Sequence, residues 1–384
     1  MTNPLHIALC WHSLNHANLG VDALTRSNIA IVQAAAARAG RTVRFTTLCS
    51  TPYTGDAPKG VTVGPRAELK PLFTGRSPVH AVLRDADLVI DIGEGDSWAD
   101  IYDGRRFLRQ AGSKIATLMR NKPLVLAPQT IGPFNSRWRR MVANTIMSRA
   151  RAVYARDHMS MAYLEKHSIA SETGEFIDVA FRLPFDRRER ANDRRHVGLN
   201  ISGLLYRGGY TGRNEFGLTL DYADLSHRLI DALTAIDDVD IYLLPHVIGE
   251  SDESDLAIIR HLVARFPNLI VPETFHTASE AKTFMSGLDF VVGGRMHACI
   301  GAFSALTPVV PIAYSRKFNG LFGTLGYAHL VDGKADTTDA ALAKILACFS
   351  MRDVLAADVM RGMTIAKERL NAYEDRLVTI IGEL

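Results

Sequence analysis

Three basic side chains in the C-terminal half of the chain are spaced so that they could hold a small anion. Arg295 and His297 follow two glycines at the end of an apolar run, in VVGGRMHACIGAF at 291–303. Lys317 comes twenty positions after His297, behind a second apolar run at 308–314. A guanidinium binds oxyanions through paired hydrogen bonds, and lysine supplies a point charge. If the two runs are neighbouring parallel strands, these side chains and the positive end of the next helix converge on one ligand.

A further cation lies in the N-terminal half. The stretch YARDHMS at 154–160 places Arg156 at the end of an apolar strand and Ser160 just inside the helix that follows. The free N–H groups and macrodipole at a helix start attract anions, and an arginine beside them strengthens such a site. An ion pair between Arg156 and its neighbour Asp157 is the structural alternative. We predict that Arg156 joins the anion-binding set.

Carboxylates collect in the loop GEGDSWADIYD at 93–103, directly after another apolar run. Glu94, Asp96 and Asp100 could bind sugar hydroxyls or act as a general acid or base. The loop lacks the third glycine of a dinucleotide fingerprint and the lysine of a phosphate-binding loop, so neither nucleotide motif is present. A solvated acidic turn is the alternative interpretation.

A polar turn also follows the first predicted strand, in NLGVDA at 18–23. Asn18 and Asp22 could contact a second substrate, and Gly20 permits a close approach to the backbone. The alternative is a turn whose Asn or Asp caps the following helix. None of these loops has the ligand spacing of a metal site.

Short apolar strands alternate with helices in both halves of the chain, a pattern typical of parallel sheets that are covered on both faces. Strands are predicted at 5–11, 43–49, 87–93, 123–129, 152–157, 196–202, 240–246, 269–273, 289–294 and 308–314. Helices are predicted at 22–40, 105–120, 136–150, 158–168, 221–236, 253–266, 278–287, 296–306 and 338–384.

The charge-dense segment PFDRRERANDRRH at 184–196 interrupts this alternation. We interpret it as the connection between two domains, with a solvated loop inside one domain as the alternative. The predicted fold class is α/β, with two Rossmann-like domains facing across a cleft. The predicted boundaries are 1–185 for the N-terminal domain, 186–350 for the C-terminal domain and 351–384 for a helical tail. Ligands of such sheets bind beyond the carboxyl ends of the strands, where the polar loops lie.

Composition narrows the class of protein. A chain of 384 residues with 47% hydrophobic content can form two domains, each with its own hydrophobic core. The net charge of +3 argues against a dedicated nucleic-acid binder. No signal-peptide pattern or membrane-spanning run is present, so we expect a soluble cytoplasmic protein. Peripheral contact with the inner face of the membrane and the oligomeric state are left open. The cysteines are widely separated and suggest neither disulfides nor a metal site: Cys10, Cys49, Cys299 and Cys348.

Taken together, the polar loops resemble those of the polysaccharide pyruvyl transferase family. The matching stretches are NLGVDA, GEGDSWAD, APQTIGPF, YARDHMS, VGLNIS and GGRMHACIGAFSALTPVVPIAYSRKFNGLF, in the family's order and across nearly the whole chain. The last stretch is the most specific, because it combines an Arg-apolar-His sequence after a strand with a lysine twenty positions beyond the histidine. Glu94 and Asp96 stand where the family pattern is richer in glycine.

The resemblance implies a transferase of glycosyltransferase-B-like architecture. It would move the enolpyruvyl unit of phosphoenolpyruvate onto two hydroxyls of a sugar, forming a pyruvate ketal and releasing phosphate. The acceptor would belong to a bacterial-type surface polysaccharide or its precursor, lipid-linked or free. The resemblance places phosphoenolpyruvate on Arg156, His297 and Lys317, with Arg295 beside them, and calls for no metal or other cofactor.

The roles within that implied site are less specific. His297 would either bind the phosphate or donate a proton, and Arg295 would stabilise the leaving group. The acceptor is expected on the N-terminal domain, near Asn18, Asp22, Glu94 and Asp96, with Asp100 as the leading acid or base and Asp22 and Glu94 as alternatives.

Two other functions stay open at this level. A nucleotide-sugar-dependent glycosyltransferase would share the architecture, and Glu273, after a predicted strand, could bind its ribose. A non-catalytic sugar- or anion-binding protein would use the same two domains. The basic segment SRWRRM at 136–141 is expected to be an exposed helix face, with an anionic acceptor or the membrane surface as its alternative partner.

Overall fold

The computed structural model describes residues 3–14, 17–49, 57–73, 75–95, 98–100, 104–189, 192–249 and 253–384. The chain divides into two compact units. Each is a Rossmann-like α/β domain, which confirms the predicted fold class. The first unit comprises Met1–Asn15, Leu24–Arg182 and Glu368–Leu384, and the second comprises His16–Ala23 and Leu183–Lys367.

Seven parallel strands form the sheet of the first unit, in the order β3-β2-β1-β4-β5-β6-β7. Four of them are buried along their whole length and correspond to predicted apolar strands, because helices cover both faces. The sequence does not predict β3 and β7, which are short and partly exposed. The bounds are β1 Leu5–Cys10, β2 Val43–Leu48, β3 Val61–Val63, β4 Leu88–Asp91, β5 Leu124–Gln129, β6 Ala152–Ala155 and β7 Glu172–Glu175.

Among the residues that the structure describes, six α-helices lie between these strands in the chain. The helices predicted at 105–120, 136–150 and 158–168 are confirmed as α4, α5 and α6. The first turn of α1 lies in the segment that belongs to the second unit. The bounds are α1 Leu19–Arg38, α2 Leu69–Phe73, α3 Val79–Asp85, α4 Gly104–Leu118, α5 Arg137–Arg149 and α6 His158–Lys166.

Five parallel strands form the sheet of the second unit, in the order β12-β11-β10-β8-β9. Their bounds are β8 Arg195–Asn200, β9 Val239–Leu243, β10 Phe290–Gly293, β11 Val309–Ala313 and β12 Val331–Asp332. The predicted strand at 269–273 is wrong, because this run contributes a single bridge, between Ile270 and Tyr242. Ile270 and Val271 are 38% and 43% exposed, and Pro272 has no N–H for a sheet ladder.

Side-chain caps set where several helices of the second unit begin. Asp221, Thr277 and Thr337 accept hydrogen bonds from first-turn N–H groups of α8, α10 and α13. The bounds are α7 Gly203–Tyr206, α8 Tyr222–Thr234, α9 Asp255–Arg265, α10 Ala278–Met285, α11 Met296–Ser304, α12 Arg316–Thr324, α13 Thr338–Ser350 and α14 Arg352–Gly382. The final turns of α14 belong to the first unit. Among the described residues, no helix combines the length and the apolar character needed to cross a bilayer.

The strand order reverses once in each sheet, and these switch points determine where ligands can enter. In the first sheet β1 lies between β2 and β4, so the loops that leave β1 and β4 diverge to opposite faces. In the second sheet the reversal lies between β8 and β10. The residues that follow these four strands are therefore the natural places for a binding site.

Lys282 provides a test of the packing of the second unit. Its side chain is buried in α10, where Nζ donates to the Leu183 carbonyl at 2.9 Å and lies 4.5 Å from the Phe185 ring centroid. Burial lowers the pKa of Lys282 to about 7. The unfolded chain keeps this proton up to the ordinary lysine pKa of about 10.4, so this residue makes stability rise with pH between those two values.

We expect Lys282→Met to remove this pH dependence. Urea unfolding at about pH 7 and about pH 9 should show a stability gain for the wild-type chain that exceeds the variant's gain by roughly 1 kcal/mol or more. Lys334→Met, at an exposed lysine of the same unit, is the control and should follow the wild type. Equal gains in the wild type and in Lys282→Met would contradict the buried, proton-poor lysine.

Candidate functional site

Arg295 lies at the switch point of the second sheet. It follows β10 and occupies the N-cap position of α11. Its backbone N–H donates to Asn200 Oδ1 at 2.9 Å, and the Gly294 N–H donates to the Asn200 carbonyl at 3.0 Å, so the end of β8 fixes this turn. Glycine is required here by close packing, because a Cβ on Gly294 would collide with Tyr222 Oη.

The Arg295 guanidinium is held by Asp255, the first residue of α9. Nε and Nη2 donate to Asp255 Oδ1 at 3.2 and 2.9 Å, and Nη2 also donates to the Glu253 carbonyl. Asp255 is completely buried and also accepts the backbone N–H groups of Gly203 at 2.9 Å and His246 at 3.0 Å. The loops after β8, β9 and β10 therefore meet at one carboxylate, whose burial is compensated by a cation and several donors.

His246, after β9, is a candidate site residue that the sequence analysis overlooks. Its ring is buried, and Nε2 has no hydrogen-bond partner among the described residues. Burial, followed by the positive charges of His297 and Arg295, lowers the pKa of His246 well below its ordinary value. The site thus contains a neutral imidazole whose Nε2 can donate to or accept from a ligand, according to its tautomer.

His297 is the second residue of α11, and its ring packs against the first turn of α1. A Cβ on Gly20 would lie 2.5 Å from His297 Nδ1. The close approach that Gly20 permits is used here by the His297 ring. The segment before Gly20 is tied to the same loops, because the Leu19 N–H donates to the His246 carbonyl at 3.0 Å and Asn18 bridges Val247.

Lys317 is the second residue of α12 and is half-buried. It follows β11, which pairs in parallel with β10 and so confirms the predicted neighbour relation. Tyr314 lies at the start of the same loop. Burial raises the pKa of Tyr314, and the Arg295 charge opposes the shift.

Arg156 lies in the first unit, directly after β6. Its Nη1 donates to Asp178 Oδ2 and its Nε to Thr130 Oγ1, both at 2.8 Å, and the side chain is buried. The alternative of a pair with Asp157 is wrong, because Asp157 instead caps α6 and accepts the Ser160 N–H at 2.8 Å. The proposed cooperation of Arg156 with the cations of the second unit stays a prediction.

Glu94 lies at the switch point of the first sheet. Its backbone N–H donates to the Trp11 carbonyl after β1 at 2.8 Å, and the residue is buried. Its φ of 54° is in the left-handed region, which a non-glycine residue adopts only when its surroundings impose it. Asp96 lies outside the described residues. Asp100 accepts the N–H groups of Asn135 and Ser136 at 3.0 and 2.8 Å, before α5, so it supports the start of that helix.

Beneath the Glu94 loop lies a buried ion pair that the sequence analysis also misses. Lys114 Nζ is 2.8 Å from Asp91 Oδ2 and 4.3 Å from the Trp98 ring centroid. Burial raises the pKa of Asp91, and the Lys114 charge opposes the shift. Gln129 Nε2 donates to the Asp91 carbonyl at 3.1 Å. This pair fixes α4 to the end of β4 behind the acidic loop.

Asn18 and Asp22 have local partners within the second unit. Asn18 Oδ1 accepts the Gly20 N–H at 3.0 Å, which resembles the capped turn of the alternative interpretation. Asp22 Oδ2 accepts the Ala278 N–H at 2.9 Å and so supports the start of α10 rather than that of its own helix. In the part of the chain that the structure describes, no group of His, Cys, Asp and Glu has a metal-binding geometry.

Two missed residues carried weak signals in the sequence. His246 follows Pro245 at the end of an apolar run, and Asp255 lies where a helix begins. A polar residue at either position usually means a turn or a cap. Only the pairing of β9 with β8, and of β8 with β10, brings both residues to Arg295.

Comparison with known proteins bears on this arrangement directly. Residues 18–316 match the polysaccharide pyruvyl transferase family. The chain belongs to this family. The match begins at Asn18 and ends at residue 316, so it includes Arg295, His297 and the loops after β4, β8 and β10, and it stops just before Lys317.

A sequence relative and two solved structures extend this picture. The chain is 20% identical over 284 residues to the amylovoran biosynthesis protein AmsJ of Erwinia amylovora, covering 68% of this chain and just under two thirds, 64%, of that protein. A UDP-N-acetylglucosamine 2-epimerase from Listeria monocytogenes superposes with a TM-score of 0.58 at 10% identity, over 94% and 91% of the chains. Anabaena HepE, whose structure was solved in complex with UDP, superposes with a TM-score of 0.56 at 14% sequence identity. The match covers 99% of this chain and 100% of that chain.

The structural likenesses establish the fold. These proteins have the glycosyltransferase-B architecture of two Rossmann-like domains, which is the architecture that the family resemblance implies. At such low sequence identities, the ligands and reactions of these proteins cannot be assigned to this chain.

Asp255→Asn tests the centre of the site. The substitution leaves the Arg295 guanidinium buried without its counter-ion, a change that typically costs about 3–5 kcal/mol. We expect a large fall in the urea midpoint. Asp255→Asn combined with Arg295→Met should recover part of the loss, because it removes both charges. Asp224→Asn, at an exposed pair with Arg228, is the control and should leave the midpoint unchanged. A small effect of Asp255→Asn would mean that the pair is dispensable.

Proposed function

We propose that this protein transfers the enolpyruvyl unit of phosphoenolpyruvate to two hydroxyls of a sugar in a surface polysaccharide or its precursor. The main observation in support is the set of cationic groups at the β8–β10 switch point of a polysaccharide pyruvyl transferase family member. Arg295 and His297 stand at the start of α11, and Lys317 follows the neighbouring strand. A phosphate and a carboxylate attached to the same carbon suit such a compact positive site.

The reaction balances without a cofactor. The C=C bond of phosphoenolpyruvate takes a proton at its methylene carbon, which leaves an oxocarbenium-like centre. One sugar hydroxyl forms a C–O bond to that centre and loses its proton. Phosphate then departs with the electron pair of its C–O bond, and the second hydroxyl closes the ketal. The two hydroxyl protons end on the new methyl group and on phosphate.

The burial of each group suggests how the work is divided. Arg295 commits Nε and Nη2 to Asp255 and the Glu253 carbonyl, so we assign it to positioning the start of α11 and to screening the donor's charge. Lys317 and His297, both only partly buried, are assigned to direct contact with phosphate or carboxylate. His246, neutral and buried, is assigned a hydrogen bond to the same ligand through Nε2.

The acceptor is proposed to bind at the first unit's switch point. Glu94 is held there in a strained conformation beside the end of β1, a feature that occurs at functional sites. Asp100 and Asp22 accept backbone N–H groups at the starts of α5 and α10, so their carboxylates support those helices.

A nucleotide-sugar glycosyltransferase is the second candidate. It is favoured by the shared architecture and by Glu273, which is exposed on a groove of about 1190 Å³ beside Phe284 and His276. The groove lies within the second unit, but it lacks a cation set like that around Arg295. A non-catalytic binding protein is the third.

One assay separates the three candidates. The protein is incubated with phosphoenolpyruvate or nucleotide sugars, each with a panel of glycans, while phosphate release and product mass are followed. We expect acceptor-dependent phosphate release from phosphoenolpyruvate and a product carrying a pyruvate ketal. Sugar transfer from a nucleotide sugar would support the glycosyltransferase instead. Binding of a ligand without turnover of any donor would support the non-catalytic binding protein.

His297→Ala and Lys317→Ala should each lower phosphate release by roughly 100-fold or more, because each removes a charge-stabilising contact to the leaving group. Both side chains are partly solvent-accessible, so the melting temperature should change little. Lys334→Ala is the matched surface control. Arg295→Ala is a poor probe of activity, because it leaves the Asp255 carboxylate buried without its cation. Wild-type rates for both His297→Ala and Lys317→Ala would remove the proposed donor site.

Gly20→Ala probes the position of the His297 ring without removing it. The new Cβ would lie 2.5 Å from Nδ1, so the ring must move. We expect turnover to fall by roughly 10- to 100-fold with little loss of stability. The double variant with His297→Ala should be no slower than His297→Ala alone. Gly323→Ala, at an exposed helical glycine with open space around it, is the control. Additive effects in the double variant would show that Gly20 acts by another route.

A further inference from the structure

One region of the first unit carries an unusual charge. Residues 104–156 contain twelve Lys and Arg and no Asp or Glu, although the whole chain has a net charge of only +3. Two of these cations are buried in ion pairs, Lys114 with Asp91 and Arg156 with Asp178. Several of the others lie on the outer helices α4 and α5, which contain no acidic residue.

The same two helices expose large apolar side chains. Trp138 and Met141 on α5 are 47% and 66% exposed, Leu108 on α4 is 36% exposed, and Met119, directly after α4, is 78% exposed. On α5, positions 138, 141, 145 and 149 are all exposed and recur at helical spacing, so they form one stripe that ends at Arg149. The face with Ala143 and Ile146 is buried instead. Exposed aromatic and Met side chains in a single patch mark an interaction surface.

A groove continues this patch between the two helices. It has a volume of about 560 Å³ and is lined by apolar groups of α4 and α5, with Arg149 at its margin. Trp138, one helical turn before Met141, makes an edge-on contact with the buried Phe107, with ring centroids 5.5 Å apart. The Arg139 guanidinium lies 5.4 Å from the Trp138 ring. The indole is thus fixed in an outward position rather than loosely exposed.

We propose that the α4–α5 surface docks on an anionic phospholipid bilayer. Tryptophan and methionine would insert at the depth of the headgroups, while arginines such as Arg137 and Arg149 would meet the lipid phosphates. Charge argues against a second copy as the occupant, because a two-fold contact would bring two acid-free basic surfaces together. An acidic protein would satisfy the arginines but would not explain the paired apolar groove and indole as well as a bilayer does.

The tryptophans provide a direct readout for the full-length chain. Trp11 and Trp98 are 1% and 0% exposed, so a change in tryptophan emission on vesicle binding reports Trp138. With vesicles of phosphatidylcholine containing about one third phosphatidylglycerol, we expect co-sedimentation and a blue shift of the emission. Pure phosphatidylcholine vesicles should give neither, and added salt should weaken the binding.

Two double variants separate the apolar and electrostatic parts. Trp138→Ser with Met141→Ser, and Arg137→Glu with Arg149→Glu, should each reduce the bound fraction at least about tenfold. Met360→Ser with Lys367→Glu, on exposed positions of α14, is the matched control and should bind like the wild type. Circular dichroism and melting temperatures verify that each variant is folded.

Several outcomes would overturn the proposal. These are no binding to the anionic vesicles, equal binding to neutral ones, or unchanged binding in both surface variants. A concentration-dependent dimer that both surface variants abolish would assign the surface to a second copy. Binding to soluble polyglutamate but not to vesicles would assign it to an acidic polypeptide. The proposal does not rest on the transfer reaction, because phosphate release with a soluble acceptor is a separate measurement that both surface variants should retain.

Discussion

A single buried carboxylate organises the ligand-facing edge of the second unit. Asp255 is inaccessible to water, and an uncompensated charge in that position would be strongly destabilising. It is satisfied by the Arg295 guanidinium and by backbone N–H groups of Gly203 and His246. These partners follow three different strands. If one of the three loops moved, Asp255 would lose a partner and its buried charge would destabilise the fold. The position of α11, and with it His297, depends on this constraint.

Each sheet places a buried pair of opposite charges near the carboxyl ends of its strands. In the second unit the pair is Arg295 and Asp255, and in the first unit Arg156 pairs with Asp178. A pair of this kind adds little net charge to a binding site, because its charges largely cancel. It fixes geometry instead. In the proposed function, the attraction for a negatively charged donor therefore rests mainly on His297, Lys317 and the start of α11.

This division changes how the basic residues of the family pattern are understood. The arginine of the most specific motif is tied to protein partners and acts through the helix that it begins, whereas the neighbouring histidine and the later lysine are half-buried. The neutral imidazole of His246 adds a hydrogen-bonding group without adding charge. The chemistry of the α4–α5 surface, basic and apolar together, differs from that of the switch-point loops.

The sequence by itself determined the alternation of strands and helices, the polar loops after the strands and the membership of the family. Continuous apolar runs indicate strands that are buried on both faces. The Arg-apolar-His motif and the lysine twenty positions after its histidine form a short sequence pattern that can be recognised without the structure. The strand predicted at 269–273 is wrong because apolar content alone does not show whether a segment pairs with a neighbouring strand.

Tertiary structure alone decided the partners of the charged residues. Arg156 binds Asp178 rather than its neighbour Asp157, and Asp22 supports a helix that begins more than two hundred residues later. His246 and Asp255 become site residues only because parallel pairing brings the ends of β8, β9 and β10 together. A buried charged side chain must pair with whichever group of opposite charge the fold places beside it. Which groups lie side by side depends on the strand order, and no local pattern in the chain encodes that order.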